Sequence, residues 1–325
     1  MDVSVLGRIG YDLYAEQRGV PLKDVTTFSR HLGGSSANSA VGMARLGLQV
    51  GLISCLGDDP LSAHLIEYLD GEGVSTRLVQ TRPGVLPSLC LTEVAPPDSF
   101  PQVFYRERAA DTRLEIGDRD FDFIRSTRLF LTNGTSLCES PSRESTLAAL
   151  EFAHRKGVKV AFDVDYRAMS WAGPGEAKVY ARQVLPWIDI LIANPEELLL
   201  ITGCGTPEQG VQELRDRGVP LIVAKLGANG TLVVRKDQSY FLPPYPVPVA
   251  STVGAGDGFA AGFLFAQVRE LPLPTCLQYG NAAAAIVVSR LMCADAMPRL
   301  DEVEALIRGN RGIAPEATTL QGIPG

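Results

Sequence analysis

The hydrophobic positions of the chain fall into short strand-like runs separated by longer segments with helical spacing. Residues 2–7 (DVSVLG) form the first apolar run, and residues 51–55 (GLISC) form the second. Between them, residues 35–46 (SSANSAVGMARL) are mostly small and have helical spacing. A strand, a helix and a strand in this order predict the opening of an α/β unit.

The alternation becomes regular from residue 128 onward. Strand-like runs extend from RLFLTNG at 128–134 to PLIVAKLG at 220–227, and helical segments separate them. Three further helices are predicted at about 255–269, 273–290 and 300–308. Strands that are separated by helices favour parallel pairing with right-handed crossovers. The chain is therefore predicted to have an α/β fold with a mostly parallel central sheet.

Two segments interrupt this alternation and carry β-type patterns instead. They are residues 11–32 and residues 84–108, and the second contains a Pro-rich turn. Extra β segments on an α/β body can form a lid that covers a cleft. Residues 1–310 are thus predicted to form one domain with a small β lid. Residues 311–325 carry Gly, Pro and Thr without periodicity and are predicted to be a flexible tail.

Composition and charge narrow the class of protein. The 325 residues are 46% hydrophobic and 21% charged, which is typical of a globular protein. No apolar run approaches the roughly 20 residues of a membrane-spanning helix, and the first residues lack a signal-peptide pattern, so we expect a cytoplasmic protein without membrane contact. A formal net charge of −7 argues against a nucleic-acid partner. The six cysteines form no CxxC pair and the three histidines show no ligand spacing, so a zinc site is not expected.

A glycine-rich segment, STVGAGDGFAAGF at residues 251–263, carries the clearest candidate chemistry. Gly254 and Gly256 flank Ala255, and Asp257 follows at the start of a predicted helix. Glycines let backbone N–H groups turn toward an anion, and a helix N-terminus adds partial positive charge. Asp257 is then placed to act as the base for a hydroxyl that attacks a bound phosphate. An ordinary strand-to-helix turn with Asp257 as the helix cap explains the same residues.

A second motif lies in LGGSSANSAVGMARLG, residues 32–47. Gly33 and Gly34 permit close approach of a ligand to the backbone, and Asn38 can donate to and accept from sugar hydroxyls. With this motif early, VGAGD late and the same order of elements between, residues 2–308 resemble the PfkB or ribokinase family of carbohydrate kinases. The resemblance implies a ribokinase-like three-layer α/β/α fold. It also implies phosphoryl transfer from ATP to a sugar hydroxyl.

The resemblance implies roles for residues at other strand ends. Asp12 matches the family acid that holds substrate hydroxyls, although an Asp after a strand is also common in surface turns. Asn194 and Glu197 in NPEE match the family NxxE motif that organises Mg²⁺, here through water. The alternative for this pair is an ordinary helix start with Asn194 as the cap.

The nucleotide site implied by the resemblance includes two later segments. Lys225, Gly227 and Gly230 in KLGANG match the family segment that lies against ATP, and Asn281 matches a residue near the adenine. A turn between a strand and a hairpin explains these glycines equally well.

Two arginines point to an acidic acceptor. Arg106 ends the lid strand VFYRER and Arg167 follows the strand VAFDVDYR. Both resemble arginines that hold the acid in 2-keto-3-deoxygluconate kinases, and an Arg can bind a carboxylate with two parallel hydrogen bonds. The alternative for either is a solvated side chain or an ion pair with Asp163 or Asp165.

The longer match SPSRESTLAALEFAHRKGVKVAFDVDYRAMSW resembles the family branch that phosphorylates the 6-hydroxyl of 5-dehydro-2-deoxy-D-gluconate in inositol degradation. A 2-keto-3-deoxygluconate kinase, a fructokinase or a ribokinase is the alternative within the family, and a non-catalytic sugar-binding regulator is the alternative from another class. A dinucleotide-dependent oxidoreductase is not expected, because an early glycine fingerprint is absent.

Two further expectations follow from the resemblance. Family members commonly carry Asp at the position of Ser251, where it supports a monovalent cation, so K⁺ dependence is left open here. Family β lids often pair between subunits, which implies a possible homodimer through the lid.

Overall fold

A large mixed sheet forms the centre of the molecule. The computed structural model describes residues 1–96, 99–236 and 238–319. In this part of the chain the strands of the large sheet are β1 (Val3–Leu6), β4 (Val50–Leu56), β5 (Val74–Thr81), β8 (Leu129–Asn133), β9 (Lys159–Asp163), β10 (Ile190–Ala193), β11 (Leu221–Lys225), β12 (Thr231–Arg235), β13 (Gln238–Leu242) and β14 (Glu316–Ala317). Their order across the sheet is β14-β13-β12-β11-β10-β9-β8-β1-β4-β5. The pairs from β5 to β11 are parallel, and β12, β13 and β14 continue the sheet in antiparallel fashion.

Helices cover both faces of this sheet. They are α1 (Ser35–Arg45), α2 (Pro60–Gly71), α3 (Asp118–Arg125), α4 (Ser142–Arg155), α5 (Pro174–Val184), α6 (Pro195–Thr202), α7 (Pro207–Asp216), α8 (Ala255–Val268), α9 (Leu273–Val288) and α10 (Leu300–Gly309). Val5 of β1 packs in a core with α1, α8 and α9, whereas its neighbour Leu6 packs in a second core with α4. Strands that are buried on both faces read as continuous apolar runs, as these do. The predicted three-layer α/β/α fold with a mostly parallel sheet is confirmed.

The two β-type segments form a separate small sheet. Its strands are β2 (Gly10–Ala15), β3 (Phe28–Gly33), β6 (Ser88–Thr92) and β7 (Gln102–Tyr105), in the order β3-β2-β6-β7. The predicted segment 84–108 includes residues 97 and 98, which lie outside the described residues. Val103 and Tyr105 of β7 are exposed, so part of the small sheet presents apolar side chains to solvent.

Some elements were missed by the sequence analysis, and one lies in the predicted tail. The helices α2 and α3 and the edge strand β5 were not identified. In the segment predicted to be a flexible tail, β14 pairs with β13 through Tyr240 and Ala317. Residues 320–325 of that tail lie outside the described residues. No helix in the described part of the chain is long and apolar enough to cross a membrane.

Close packing of α1 against α8 brings the two predicted sequence motifs together. A Cβ atom added at Gly42 of α1 would lie 2.6 Å from the Cβ of Ala261 in α8. This is closer than real carbon contacts allow, so the helices need a glycine at their crossing. Because of this contact, the N-terminal turns of both helices lie side by side at one edge of the large sheet.

Candidate active site

The predicted site residues gather where neighbouring parallel strands end. Asp163 is the last residue of β9, Lys225 is the last residue of β11, and Asn194 directly follows β10. These three strands are adjacent and parallel, so their carboxyl ends lie on the same edge of the sheet. Asp257, in the first turn of α8, completes the group. Ligands of open α/β sheets bind at such edges.

The turn before α8 needs glycine at one position and lies beside a cation at another. Gly254 has a φ of +83°, and a Cβ atom there would lie 3.1 Å from Cys293 Sγ. A Cβ atom at Gly256 would lie 3.3 Å from Lys225 Nζ. The first backbone N–H groups of any helix lack intrahelical acceptors. Open amides and a nearby ammonium group therefore make this turn suited to an anion.

Asp257 does not cap the helix. The capping position of α8 is Gly254, with no side-chain cap, and Asp257 instead accepts a 2.8 Å hydrogen bond from Asn38 Nδ2. Burial raises the pKa of Asp257 to about 7, and the negative charge of Asp165 adds to this, against the opposing effects of Asn38 and Arg167. A carboxyl group with a pKa near neutrality can both accept and release a proton.

Asn38 lies in the first turn of α1 and has one unused group. Its Nδ2 donates to Asp257, whereas its Oδ1 is buried without a hydrogen-bond partner among the described residues. The start of α1 is set by Gly34, whose φ is +105°, and a Cβ atom there would lie 2.5 Å from Arg8 O, so a side chain is excluded. A free amide oxygen next to a buried carboxylate is a ready acceptor for a ligand hydroxyl.

Asp12 lies on β2 of the small sheet and packs against the other glycine of the early motif. A Cβ atom at Gly33 would lie 2.1 Å from Asp12 Oδ1, so only glycine leaves space for this carboxylate. Burial raises the pKa of Asp12, and Arg8 is the charge that most opposes this effect, ahead of Arg167. Asp12 is thus a buried group at the boundary between the two sheets and is not a solvated turn residue.

Lys225 is bound by carboxylates at the strand ends. Its Nζ lies 3.1 Å from both oxygens of Asp163. Burial alone would lower the pKa of Lys225, but the charges of Asp163 and Glu197 outweigh it and raise the pKa. Lys225 therefore remains an ammonium group, and it lies beside the first turn of α8.

The NPEE segment forms the helix cap that the sequence offered as the alternative to a metal site. Asn194 Oδ1 accepts from Glu197 N at 2.9 Å, and Glu197 Oε2 accepts from Asn194 N at 2.7 Å. Glu197 Oε1 accepts from Tyr166 N, and burial raises the pKa of Glu197. In the described residues, no group of three or more His, Cys, Asp or Glu side chains is arranged to hold a metal ion alone. The helix-cap alternative is thus present, and a metal role for Asn194 and Glu197 stays a prediction.

The two predicted arginines occupy different surroundings. Arg106 is buried, and its guanidinium donates to Asp111 Oδ2, to Thr135 O and to Cys138 Sγ. Arg167 is 44% exposed and pairs with Asp165 at 3.1 Å. The sequence alternative of an ion pair is thus realised for both, with an unforeseen partner for Arg106. Only Arg167 lines a cavity of about 280 Å³, together with Phe100, Gln102, Phe104, Tyr166, Ala168, Met169 and Glu196.

The residues predicted for the nucleotide have local structural partners. Gly227 and Gly230 form the turn between β11 and β12 with φ of +60° and +100°. Asn281 Oδ1 accepts from Thr231 Oγ1 at 2.8 Å, and its Nδ2 donates to Leu242 O and Pro243 O. This amide ties α9 to the hairpin, so the hairpin turn foreseen as the alternative is present. A nucleotide contact of these residues stays a prediction.

Some site residues escaped the sequence analysis as candidates for function. Asp165 accepts hydrogen bonds from Ser35 and Thr135 at the start of α1 and after β8, and its φ is +37°. A positive φ is rare in residues other than glycine, and the few examples are concentrated at functional sites. Asp163 ends an apolar strand and Asp165 lies just after it. Acidic residues at the end of a buried strand were the sequence signal that could have marked both as site residues. Arg8 was missed too, because nothing in GRIGYDL marks it as buried.

Comparison with known proteins defines the class to which this fold and site belong. The model of the pfkB family carbohydrate kinases matches residues 1–300. The chain belongs to this family, and it is a carbohydrate kinase. Kinases of the family use ATP as the phosphoryl donor.

Individual relatives agree along nearly the whole chain. The chain is 36% identical to 5-dehydro-2-deoxygluconokinase of Geobacillus thermodenitrificans (strain NG80-2), over 97% of this chain and 95% of that protein. Among solved structures, a PfkB protein from Polaromonas sp. JS666 has a TM-score of 0.83 and 27% identity, covering 94% of this chain and 99% of that chain. Aminoimidazole riboside kinase from Salmonella enterica, complexed with aminoimidazole riboside and an ATP analog, has a TM-score of 0.81 and 25% identity. It covers 94% of this chain and 100% of that chain.

The contact between Gly33 and Asp12 can be tested by one methyl group. Gly33→Ala should displace the Asp12 carboxylate and raise KM for the sugar acceptor by roughly 10–100-fold, the equivalent of one or two charge-assisted hydrogen bonds. KM for ATP should change less than about twofold, since the turn before α8 is not altered. Gly117→Ala is the matched control, because a Cβ atom there meets nothing within 4 Å. An unchanged acceptor KM in Gly33→Ala would show that Asp12 does not bind the sugar.

Proposed function

We propose that this kinase transfers the γ-phosphoryl group of ATP to the 6-hydroxyl of 5-dehydro-2-deoxy-D-gluconate. The name of the Geobacillus relative, which matches along nearly the whole chain, supports this acceptor. The observation that carries the proposed chemistry is the part-buried hydrogen bond from Asn38 of α1 to Asp257 in the first turn of α8. A 2-keto-3-deoxygluconate kinase, a fructokinase or a ribokinase is the alternative within the family.

Asp257 is proposed to act as the general base. It takes the proton of the 6-hydroxyl while that oxygen bonds to the γ-phosphorus, and the bond from phosphorus to the β–γ bridging oxygen breaks to release ADP. Asn38 orients the carboxylate through its Nδ2 and has a free Oδ1 for a second sugar hydroxyl. The pKa of about 7 suits this task, because a stronger acid would be a poor proton acceptor.

Positive groups around the turn are proposed to stabilise the charge on the transferring phosphoryl group. The first-turn amides of α8, including those of Gly256 and Asp257, supply a partial positive charge. Lys225 adds an ammonium group near Gly256, and Arg167 lowers the pKa of Asp257 by its proximity. Because these groups are fixed before the reaction, they need little reorganisation as charge develops.

Mg²⁺ is proposed to accompany ATP, organised by Asn194 and Glu197 through water. The donor set supports this, since burial raises the pKa of both Asp163 and Glu197 even though the charge of Lys225 lowers both. A cation near these acids would relieve that cost. The ion would supply charge neutralisation on the ATP phosphates.

The acceptor assignment is tested by measuring ADP release with a panel of substrates. We expect kcat/KM for 5-dehydro-2-deoxy-D-gluconate to exceed that for 2-keto-3-deoxygluconate, fructose and ribose by at least about tenfold, because a site built for a charged group discriminates strongly. A neutral sugar as the best substrate would contradict the assignment. The same assay with and without K⁺ should differ by less than about twofold, since Ser251 offers a neutral hydroxyl in place of a carboxylate.

The base assignment is tested by substitution and by pH. Asp257→Asn should lower kcat by roughly 10²–10⁴-fold while leaving the affinity for ATP nearly unchanged. In the unaltered enzyme, kcat should fall about tenfold per pH unit below pH 7, because the protonated carboxyl cannot accept a proton. Asn38→Ala removes the hydrogen bond that lowers the pKa of Asp257, so the acidic limb should move to higher pH.

The control for this experiment is Asp165→Asn, which removes a negative charge near Asp257 without removing the base. Asp165 raises the pKa of Asp257, so this variant should shift the acidic limb to lower pH. Near-normal turnover of Asp257→Asn, or an acidic limb that ignores both neighbouring substitutions, would rule out Asp257 as the base.

A homodimer through the small sheet is also proposed. The exposed Val103 and Tyr105 on the edge strand β7 support it, since apolar side chains on a sheet edge favour association. Sedimentation of the purified chain should give twice the monomer mass, and Tyr105→Lys should shift it toward the monomer. A monomer at micromolar concentration would contradict the proposal.

A further inference from the structure

One arginine near the site lacks the partners that its burial requires. Arg8 lies two residues after the end of β1 and is 6% exposed. Its Nη1 is buried, and no hydrogen-bond partner lies within reach in the described part of the chain. The other buried arginine of this region, Arg106, is paired with Asp111 at 2.6 Å. A buried guanidinium donor without an acceptor is unfavourable even with the Asp12 carboxyl nearby, so the unpaired Nη1 of Arg8 favours an anionic ligand.

Arg8 stacks on one wall of the cavity that Arg167 lines. Its guanidinium carbon is 5.3 Å from the centre of the Phe104 ring, on β7 of the small sheet. Phe104 in turn lines the same cavity as Arg167. The backbone of Arg8 is fixed as well, because its carbonyl accepts from Ala37 N at the start of α1. The cation is therefore held on a segment fixed by this hydrogen bond, against a ring that lines the cavity.

Arg8 and Arg167 act differently on the two acids of the site. Arg8 is the cation that most lowers the pKa of Asp12, whereas Arg167 lowers the pKa of both Asp12 and Asp257. An acceptor whose 6-hydroxyl reaches Asp257 has its C1 carboxylate at the opposite end of a six-carbon chain. The cation at the Asp12 end is thus better placed for the carboxylate than the cation at the Asp257 end.

We propose that Arg8 binds the C1 carboxylate of the acceptor through its unpaired Nη1, stacked on Phe104, and so selects sugar acids over neutral sugars. The inference rests on the proposed function, which it deepens by naming the group that recognises the acid. It also replaces Arg106, whose donors are engaged by Asp111, Thr135 and Cys138.

The test compares an acid with its neutral counterpart in purified full-length variants. The acceptors are 5-dehydro-2-deoxy-D-gluconate and its C1 primary amide, which keeps the hydroxyls and removes the charge. Arg8→Met should raise KM for the acid by roughly 10–100-fold, the range for a hydrogen bond to a charged group. KM for the amide and for ATP should stay within about twofold. Calorimetric titration of the acid without ATP should show the same loss of affinity.

A matched control removes a stacked arginine that is exposed and lies away from the cavity. The Arg30 guanidinium lies 5.0 Å from the centre of the Tyr11 ring on the same small sheet. Arg30→Met should leave both acceptors within about twofold of the unaltered enzyme. Arg8→Lys keeps the charge but loses the planar fork, so its KM for the acid should be intermediate. This variant also serves if Arg8→Met does not fold, as judged by circular dichroism.

The outcomes separate this inference from the function on which it rests. If the unaltered enzyme prefers the acid but Arg8→Met or Arg8→Lys impairs acid and amide equally, Arg8 only supports the fold, and the inference fails while the proposed function stands. A selective loss for the acid in Arg167→Ala, with none in Arg8→Met, overturns it as well. If the unaltered enzyme prefers fructose or ribose to the acid, both proposals are wrong.

Discussion

The hydrogen bond from Asn38 to Asp257 is the contact on which the rest of the site depends. It joins the first turn of α1 to the first turn of α8, which are 219 residues apart in sequence. It requires the close crossing of these helices at Gly42 and the sharp turns at Gly34 and Gly254. Each glycine is needed for a stated steric reason, so the early and late motifs are two halves of one structural unit. A change in either half would misplace the carboxylate.

Around this contact, the site balances an excess of buried acid against a few fixed cations. Asp163 is paired with Lys225 and Asp165 with Arg167, while Glu197 accepts only from backbone amides. The acids keep Lys225 charged, and together with burial they raise the pKa of Asp257. The same negative charges therefore have two effects. They keep Lys225 protonated beside the turn before α8, and they make the Asp257 carboxyl more basic. An ATP–metal complex would bring both more anion and more cation into this balance.

The fold was largely predictable because its central strands are buried on both faces. Continuous apolar runs form the strands β8, β9, β10 and β11. Helices separate these strands along the chain, and a helix is the usual connection between neighbouring parallel strands. The edge strand β5 is half-buried and mixed in composition, so it gave no such signal. The site was predictable where backbone geometry demands a residue type, as at Gly33, Gly34 and Gly254. The site was less predictable where the role of a residue depends on which side chains contact it in the folded chain.

The arginines show this limit most clearly. Arg106 and Arg167 were singled out because they lie at strand ends and resemble arginines that hold the acid in related kinases. Arg106 is paired with Asp111, five residues away in sequence, and Arg167 is paired with Asp165. Arg8 has no comparable signal in the sequence. It stands out only in the structure, where its buried Nη1 lacks a hydrogen-bond partner among the described residues. Whether a cation is available to a ligand depends on all its neighbours together, and these come from β7, α1 and the small sheet. In the proposed role of Arg8, acceptor specificity depends on packing between the two sheets, and a motif confined to one strand end does not reveal it.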